Sequence, residues 1–282
     1  MKHKIKKYAI VTALILLVTA VFWWICQNHM ELTVTRYRIE TEKLSADWKL
    51  ALLSDLHNQE YGEGNSLLIQ KIRDYAPDVI LICGDMINKN DPDVSVALEL
   101  CGALVEIADV YYIYGNHEGV LQYDPNGLQI PLDQYLTEQG VTLLYGGLYE
   151  IRHESDTIAF FAKSIHAEEY RESEESQEQV TRFLEQDGFK LAMSHFPDLF
   201  YSALADAEFD LAVAGHYHGG QIIIPGIGGL YHGETGLFPR YYGGEYRLKH
   251  GTLILSRGLG NSIPIPRINN DPELVFIDVI AK

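Results

Sequence analysis

Five apolar runs in this chain each stop at residues able to hold a metal ion or move a proton. LALLS runs into Asp55-Leu56-His57, VILIC into Gly84-Asp85, and YYIY into Gly115-Asn116-His117-Glu118. KLAMS runs into His195, and DLAVA into Gly215-His216-Tyr217-His218. Asp55 and His57 stand two apart on extended chain, so their side chains point the same way and can grip one ion; His216 and His218 repeat the arrangement. Gly84 and Gly115 permit tight turns and close backbone approach. A single histidine in a sequence is usually a satisfied structural residue, but five of the eleven histidines fall within these clusters. Neutral imidazoles, carboxylates and an amide oxygen suit Mn²⁺, Fe or Zn²⁺, whereas Ca²⁺ wants oxygens only. No thiolate joins the set, which argues against a structural zinc.

Positioning such residues requires strands that end together. Residues 31–39 alternate partly as a half-exposed strand; then WKLALLS (48–54), DVILIC (78–83) and DVYYIY (109–114) alternate with helical patterns at 65–75, with Asn65 as cap, and near 93–108. A loop at 115–130 leads to a short helix from about Pro131 to Gly140. The second half predicts strands at 141–144, 148–152, 158–163, 189–194, 209–214, 221–224, 252–256 and 274–280, and one helix near 173–187 with Val180, Phe183 and Leu184 buried. This order indicates an α/β or α+β domain with more than one sheet. Carboxyl ends of strands in such sheets open a crevice where sites form.

The ordered set Asp-x-His, Gly-Asp, Gly-Asn-His-Glu, His, Gly-His-x-His resembles the calcineurin-like metallophosphoesterase superfamily, across roughly residues 48–220. HGGQIIIP (218–225), SRGLG (256–260) and PIPRINNDPE (264–273) extend the resemblance to the membrane-associated bacterial branch similar to the YaeI and YkuE phosphoesterases. The resemblance implies a four-layer α/β/β/α sandwich with a dinuclear metal site at the carboxyl ends of the strands. It implies that Asp55, His57 and His218 hold one divalent ion, that Asp85 bridges both, and that Asn116, His195 and His216 complete the second. His117 matches the family's catalytic histidine. Tyr217 stands where the branch commonly has a small threonine, which predicts a bulkier rim, and SIHAE (164–168) departs from a Gly- and Asp-containing stretch.

Two ions about 3.5–4 Å apart supply an activated water and offset phosphate charge, so no protein nucleophile is needed. The expected reaction is hydrolysis of a phosphomonoester or phosphodiester, with His117 protonating the leaving oxygen or stabilising the phosphoryl group. Arg257 and Arg267 are candidate phosphate contacts or surface ion pairs. Tyr231, Tyr241, Tyr242 and Tyr246 are candidates for a pocket wall or for packing.

The 282 residues carry 22 basic and 39 acidic side chains, a net charge of −17. All four basic residues of the first thirty are lysines without a compensating acid, so the remainder holds 18 basic against 39 acidic residues, a net of −21. That body lacks the basic footprint of a nucleic-acid partner. The apolar fraction of 47% excludes wholesale disorder. Cys26, Cys83 and Cys101 fit no zinc spacing; buried thiols are favoured over a Cys83–Cys101 disulfide.

Residues 1–7 read as a cytoplasmic basic tail and 8–26 as a transmembrane signal anchor. Nineteen residues without charge span about 28 Å as a helix, close to the ~30 Å hydrocarbon core. Trp23 and Trp24 suit an interfacial belt, and the lysines orient the catalytic body outside the cytoplasm, in a single pass of the cell membrane. The alternative is a signal peptide cleaved after Val18-Thr19-Ala20, although the apolar run continues through FWWIC. Residues 27–47 form a connecting segment with a strand, and 48–282 the metallophosphoesterase domain. The expected substrate is a phosphate ester linked to a lipid, a phospholipid or an envelope glycolipid. The rival readings are a protein Ser/Thr phosphatase, disfavoured because Gly84-Asp85 is followed by Met86-Ile87-Asn88-Lys89, and a noncatalytic metal-dependent surface binding module.

Overall fold

The computed structural model describes residues 2–27, 31–91, 93–122, 131–164 and 174–282, with side chains of 2–5, 9, 21–27, 122 and 174–176 left outside the description. In chain order the elements are α1 (Lys2–Gln27), β1 (Thr33–Thr41), β2 (Trp48–Leu53), α2 (Ser66–Tyr75), β3 (Val79–Ile82), α3 (Ser95–Leu104), β4 (Asp109–Tyr112) and α4 (Asn116–Gln122). Next come α5 (Leu132–Glu138), β5 (Thr142–Leu143), β6 (Gly146–His153), β7 (Asp156–Lys163), α6 (Glu174–Leu184), β8 (Lys190–Ser194) and α7 (Asp198–Tyr201). The chain ends with β9 (Leu211–Ala214), β10 (Ile223–Ile224), β11 (Gly228–Gly229), β12 (Tyr231–His232), β13 (Gly236–Leu237), β14 (Gly244–Arg247), β15 (Thr252–Leu255) and β16 (Glu273–Ala281).

Two six-stranded mixed sheets result, ordered β1-β16-β2-β3-β4-β5 and β14-β15-β9-β8-β7-β6. Of the strands that carry the clustered residues, β2, β3 and β4 run parallel to one another in one sheet and β8 and β9 do so in the other, so within each sheet their carboxyl ends fall together. Their sequences read as unbroken apolar runs because both faces are buried. Alternate residues serve different cores: Leu50, Leu52, Val79 and Leu81 meet Phe160, Leu191, Met193, Leu211 and Val213 between the sheets. Ala51, Leu53, Ile80 and Ile82 face Leu68, Ile72, Leu100 and Leu104 of α2 and α3. Ala192, Ala212 and Ala214 face Phe183 of α6 and Leu199 and Phe200 of α7. Three apolar cores separating helix, sheet, sheet and helix make the four-layer α/β/β/α sandwich.

Several details depart from the sequence-based expectations. Asn65 does not cap α2 with its side chain; it sits in the left-handed region, and its Oδ1 accepts from the Tyr61 N–H at 3.0 Å. Residues 116–122 of the expected loop are helical, as α4, while 123–130 lie outside the described residues. Cys83 and Cys101 are free and buried in different cores on opposite faces of the first sheet, so no bridge joins them. Tyr217 does not enlarge the rim: it is 2% exposed in the outer core, where its hydroxyl meets that of Tyr201. Among the described residues no helix is long and apolar enough to cross a membrane. Trp23, Trp24 and Cys26 of the expected anchor, and 165–168 of the SIHAE stretch, lie outside the described side chains.

Candidate active site

The loops following β2, β3 and β9 bend immediately, and they bend through residues that normally avoid such geometry. Asp55, His57, Asp85, His216 and His218 all have positive φ, between 47° and 76°. For residues with a Cβ this left-handed conformation costs about 1–3 kcal/mol each, so surrounding structure must hold it. Backbone bonds between loops do so: Asp55 N–H donates to Gly84 O at 3.0 Å, His57 N–H to Asp85 O at 3.1 Å, and Leu259 N–H to Ser54 O at 2.9 Å. Gly115 has no room for a side chain, because a Cβ there would overlap Asp85 Oδ1. Glu118 fastens the same region from α4. Its carboxylate accepts from the backbone N–H groups of Asp85 and Met86 at 2.8 Å, from Gly115 N–H at 2.9 Å and from the Tyr112 hydroxyl at 2.7 Å.

All eight residues expected at the site converge. Asp55, His57 and His218 form one group, and Asp85, His195 and His216 another, with potential donor atoms within 4.8 Å of one another in each. His57, Asp85 and His117 form a third such group that links the two. Asp85 Oδ2 lies 3.3 Å from His195 Nε2, 3.8 Å from His57 Nε2 and 3.9 Å from His117 Nε2. Asp55 Oδ1 lies 3.5 Å from His218 Nε2, and Asn116 Oδ1 lies 3.1 Å from His195 Nε2. Asp55, Asp85 and the five histidines are all buried, Asn116 partly so.

Hydrogen bonds to the far side of each ring sort the histidines by what they can do. His57 Nδ1 faces Ile87 O at 3.3 Å and His195 Nδ1 faces Cys83 O at 2.6 Å. A carbonyl only accepts, so both rings carry a proton on Nδ1; whenever the ring is neutral, its Nε2 lone pair points toward the carboxylates. His117 is the reverse: its Nδ1 accepts from Lys89 N–H at 3.0 Å, so the neutral ring presents Nε2–H to the site. His218 is also reversed. Arg267 Nη2, which can only donate, lies 3.0 Å from His218 Nδ1, and the Nε2–H of His218 then meets His57 Nε2 at 3.2 Å. An ion held by His218 Nε2 therefore requires that proton to leave, or Arg267 to release Nδ1. The remaining donors fit divalent ions: the buried carboxylates of Asp55 and Asp85 beside imidazoles whose rings the backbone orients.

Charge follows the same pattern in the ion-free chain. Burial depresses His195, but Asp85 beside it, with Asp55 and the Cys83 carbonyl, overcomes that and raises its pKa to about 10. Burial would raise Asp85, yet His195, His57 and His117 hold it well below the usual carboxylate range. Asp55 is lowered likewise, chiefly by His218 and His195 against burial. Burial lowers His117 to about 4 and also depresses His57 and His218, leaving all three neutral near pH 7. Burial and the neighbouring Asp85 raise Glu118 to about 6.

Of the two arginines, Arg257 pairs with Glu273 at 3.0 Å, while Arg267 is buried behind His218 and fastened to Gly260 O, with no partner for Nη1 among the described residues. Tyr241 stacks on Tyr201 with ring centroids 4.1 Å apart, and the Tyr246 hydroxyl accepts from Tyr242 N–H at 3.1 Å, so both are packing residues. Sequence reasoning did not assign the positioning role of Glu118, although the residue stood in the Gly115–Glu118 run; the role arises from three backbone N–H groups that no pattern of side chains displays. It also passed over His232 and Glu234 beside His216.

Residues 49–220 match the family described as calcineurin-like phosphoesterase. YkoQ of Bacillus subtilis, an uncharacterized metallophosphoesterase, is 26% identical over 230 residues, 79% of this chain and 80% of that protein. The phosphodiesterase YaeI of Escherichia coli is 24% identical over 241 residues, 84% of this chain and 83% of that one. YkuE of Bacillus subtilis, another uncharacterized metallophosphoesterase, is 26% identical over 233 residues, 80% and 77% of the two chains.

Proposed function

The chain belongs to the calcineurin-like phosphoesterase family, metal-dependent phosphoric ester hydrolases, and from that premise we propose a membrane-anchored enzyme with a dinuclear metal centre. Its substrate in this reading is a phosphodiester or phosphomonoester of a phospholipid or envelope glycolipid. The observation that carries the proposal is the convergence of seven donor residues, buried Asp85 among them, from five strand ends, with His117 held in the tautomer that presents Nε2–H when the ring is neutral, the reverse of His57 and His195. Asp55, His57 and His218 would hold one ion and Asn116, His195 and His216 the other, with Asp85 shared.

Two such ions supply an activated water and cationic charge for the phosphate oxygens. The chain's residues do the rest. Buried Asp55 and Asp85 place permanent negative charge where cations are needed in an otherwise acidic protein. The carbonyls of Ile87 and Cys83 fix the rings of His57 and His195. Glu118 holds the loops after β3 and β4 in register, so that Asp85 and His117 keep their relative positions. His117, neutral and oriented by Lys89 N–H, donates Nε2–H to a phosphoryl or leaving oxygen. The diester arm draws support from the name of YaeI, a phosphodiesterase.

The membrane address rests on α1. Ile10, Val11, Leu14, Ile15, Leu16, Leu17 and Val18 are all between 46% and 63% exposed, so the described part of the helix is apolar all round and left open by the described residues. Thr19 Oγ1 donates to Leu16 O at 3.0 Å, which satisfies that hydroxyl within the helix. The uncharged run continues to Cys26 beyond the described side chains.

The test is hydrolysis of bis-p-nitrophenyl phosphate and p-nitrophenyl phosphate by the chain lacking residues 1–30, metal-stripped and then with Mn²⁺ or Zn²⁺ restored. Release should depend on metal and fall at least about 10²-fold in Asp85→Asn. Full activity in that variant sinks the two-metal mechanism, and stoichiometric metal uptake without turnover of either ester or of a lipid phosphate ester favours the binding module.

A further inference from the structure

Beside the buried cluster stands a second group of metal-capable side chains that the proposed reaction does not use. The short hairpin β12–β13 pairs Tyr231 with Leu237 and His232 with Gly236, and its tip carries Glu234. The hairpin lies against the loop that holds His216. The His232 ring sits 4.9 Å from that of His216 and 4.4 Å from that of Tyr217, centroid to centroid. Glu234 Oε2 comes within 3.3 Å of His216 Nε2. Donor atoms of His216, His232 and Glu234 all lie within 4.8 Å of one another.

One atom in this group is conspicuous. His216 Nε2 is buried, and among the described residues it meets the Glu234 carboxylate at 3.3 Å without the alignment of a hydrogen bond. A buried ring nitrogen set against a carboxylate that it does not hydrogen-bond is costly, and such a pair calls for an explanation. The opposed donors are two imidazoles and one carboxylate, a set that suits zinc and similar transition ions and leaves a fourth position open. We propose that His216, His232 and Glu234 form a third divalent transition-metal site at the rim of the dinuclear centre. Glu234 is 62% exposed in its side chain while His216 is 10% exposed, so the site spans from the buried cluster to solvent. The open coordination position then offers a binding point for an anionic oxygen arriving at the site, a second phosphate of the substrate being the chemistry it fits.

The proposal rests on the dinuclear reading in one respect. An imidazole has two ring nitrogens, and His216 serves both the buried pair and the rim only by giving one nitrogen to each, with its N–H proton lost to solvent. The rim ion is accordingly the last to bind and the first to leave. His232 Nδ1 accepts a long 3.4 Å contact from Glu234 N–H, weak enough to yield to a metal.

The experiment is equilibrium dialysis of the metal-stripped full chain in detergent against buffered free Zn²⁺, with metal and protein counted in the same sample. Wild type should take up three ions at saturation, and His232→Gln and Glu234→Gln should each take up two. Both changes lie on a surface hairpin, and Co²⁺ uptake followed by its visible absorption gives a second readout on wild type alone, in which the last equivalent adds a separate band. Equal stoichiometry in wild type and both variants, at whatever value, overturns the proposal. Two ions in wild type and one in each variant keeps the rim ion and instead refutes the buried pair.

Discussion

In the ion-free chain, His195 and Asp85 form a buried pair that is charged at neutral pH, and two consequences follow from its chemistry. The folded pKa of His195 is raised to about 10, above the value near 6.5 of an unfolded imidazole. Its stabilisation is therefore complete below about pH 6.5 and lost as pH rises towards 10. Between about pH 7.5 and 8, above the range in which the unfolded chain protonates the histidines that burial keeps neutral and below the thiol range, the metal-stripped protein should lose on the order of 1 kcal/mol per pH unit, read from urea unfolding. Metal binding must expel the same proton, so Zn²⁺ affinity should rise with pH over that window, about tenfold per unit for one proton released. A flat urea midpoint and flat affinity would contradict the pairing. At this scale the sequence was informative because ligands are recognisable by type: two carboxylates, an amide and the histidines stood at strand ends. What it did not separate was tautomer. His57, His117 and His195 are the same residue, and only the carbonyls of Ile87 and Cys83 and the N–H of Lys89 tell a ligand from a proton donor.

The elements matter through their junctions. Glu118, in the first turn of α4, ties the end of β4 to the loop after β3 with four accepted hydrogen bonds. Glu118→Gln would point an amide NH₂ at backbone N–H groups in the same buried space and leave donors unsatisfied. It should lower stability by about 3 kcal/mol, seen in the urea midpoint, and weaken metal uptake although Glu118 touches no ion. Unchanged stability would mean that the loops hold themselves. The long buried strands were legible because apolar runs of four to six residues leave few alternatives. Of the short pairs, the strand expected at 221–224 contains β10, but β11, β12 and β13 were not legible, since two-residue strands carry no periodicity, and α4 was hidden because its first residues read as a functional loop.

For the molecule as a whole, the charge distribution sets the terms of any encounter with a membrane. The first thirty residues hold four lysines and no acid, against a body of net −21. Anionic lipid repels that body at long range, so in the proposed reading association comes from burial of the apolar surface of α1, helped on anionic lipid by the lysines beside it. The full chain should float with lipid vesicles, both neutral and anionic, and the chain lacking residues 1–30 with neither. Flotation of the shortened chain would place the membrane contact elsewhere on the body. The four layers could be foreseen only through the family resemblance. Strand order depends on long-range pairings, such as β1 with β16, that local pattern does not encode.

The left-handed backbone at Asp55, His57, Asp85, His216 and His218 has a further consequence. Each of these positions would be more comfortable as glycine, so losing the site releases strain that the four layers otherwise absorb. Glycine at such a position would trade turnover for a relaxed backbone, a gain in heat resistance wherever the side chain removed holds no buried charged partner. A laboratory screen for heat-resistant variants would, for the same reason, enrich for inactive ones.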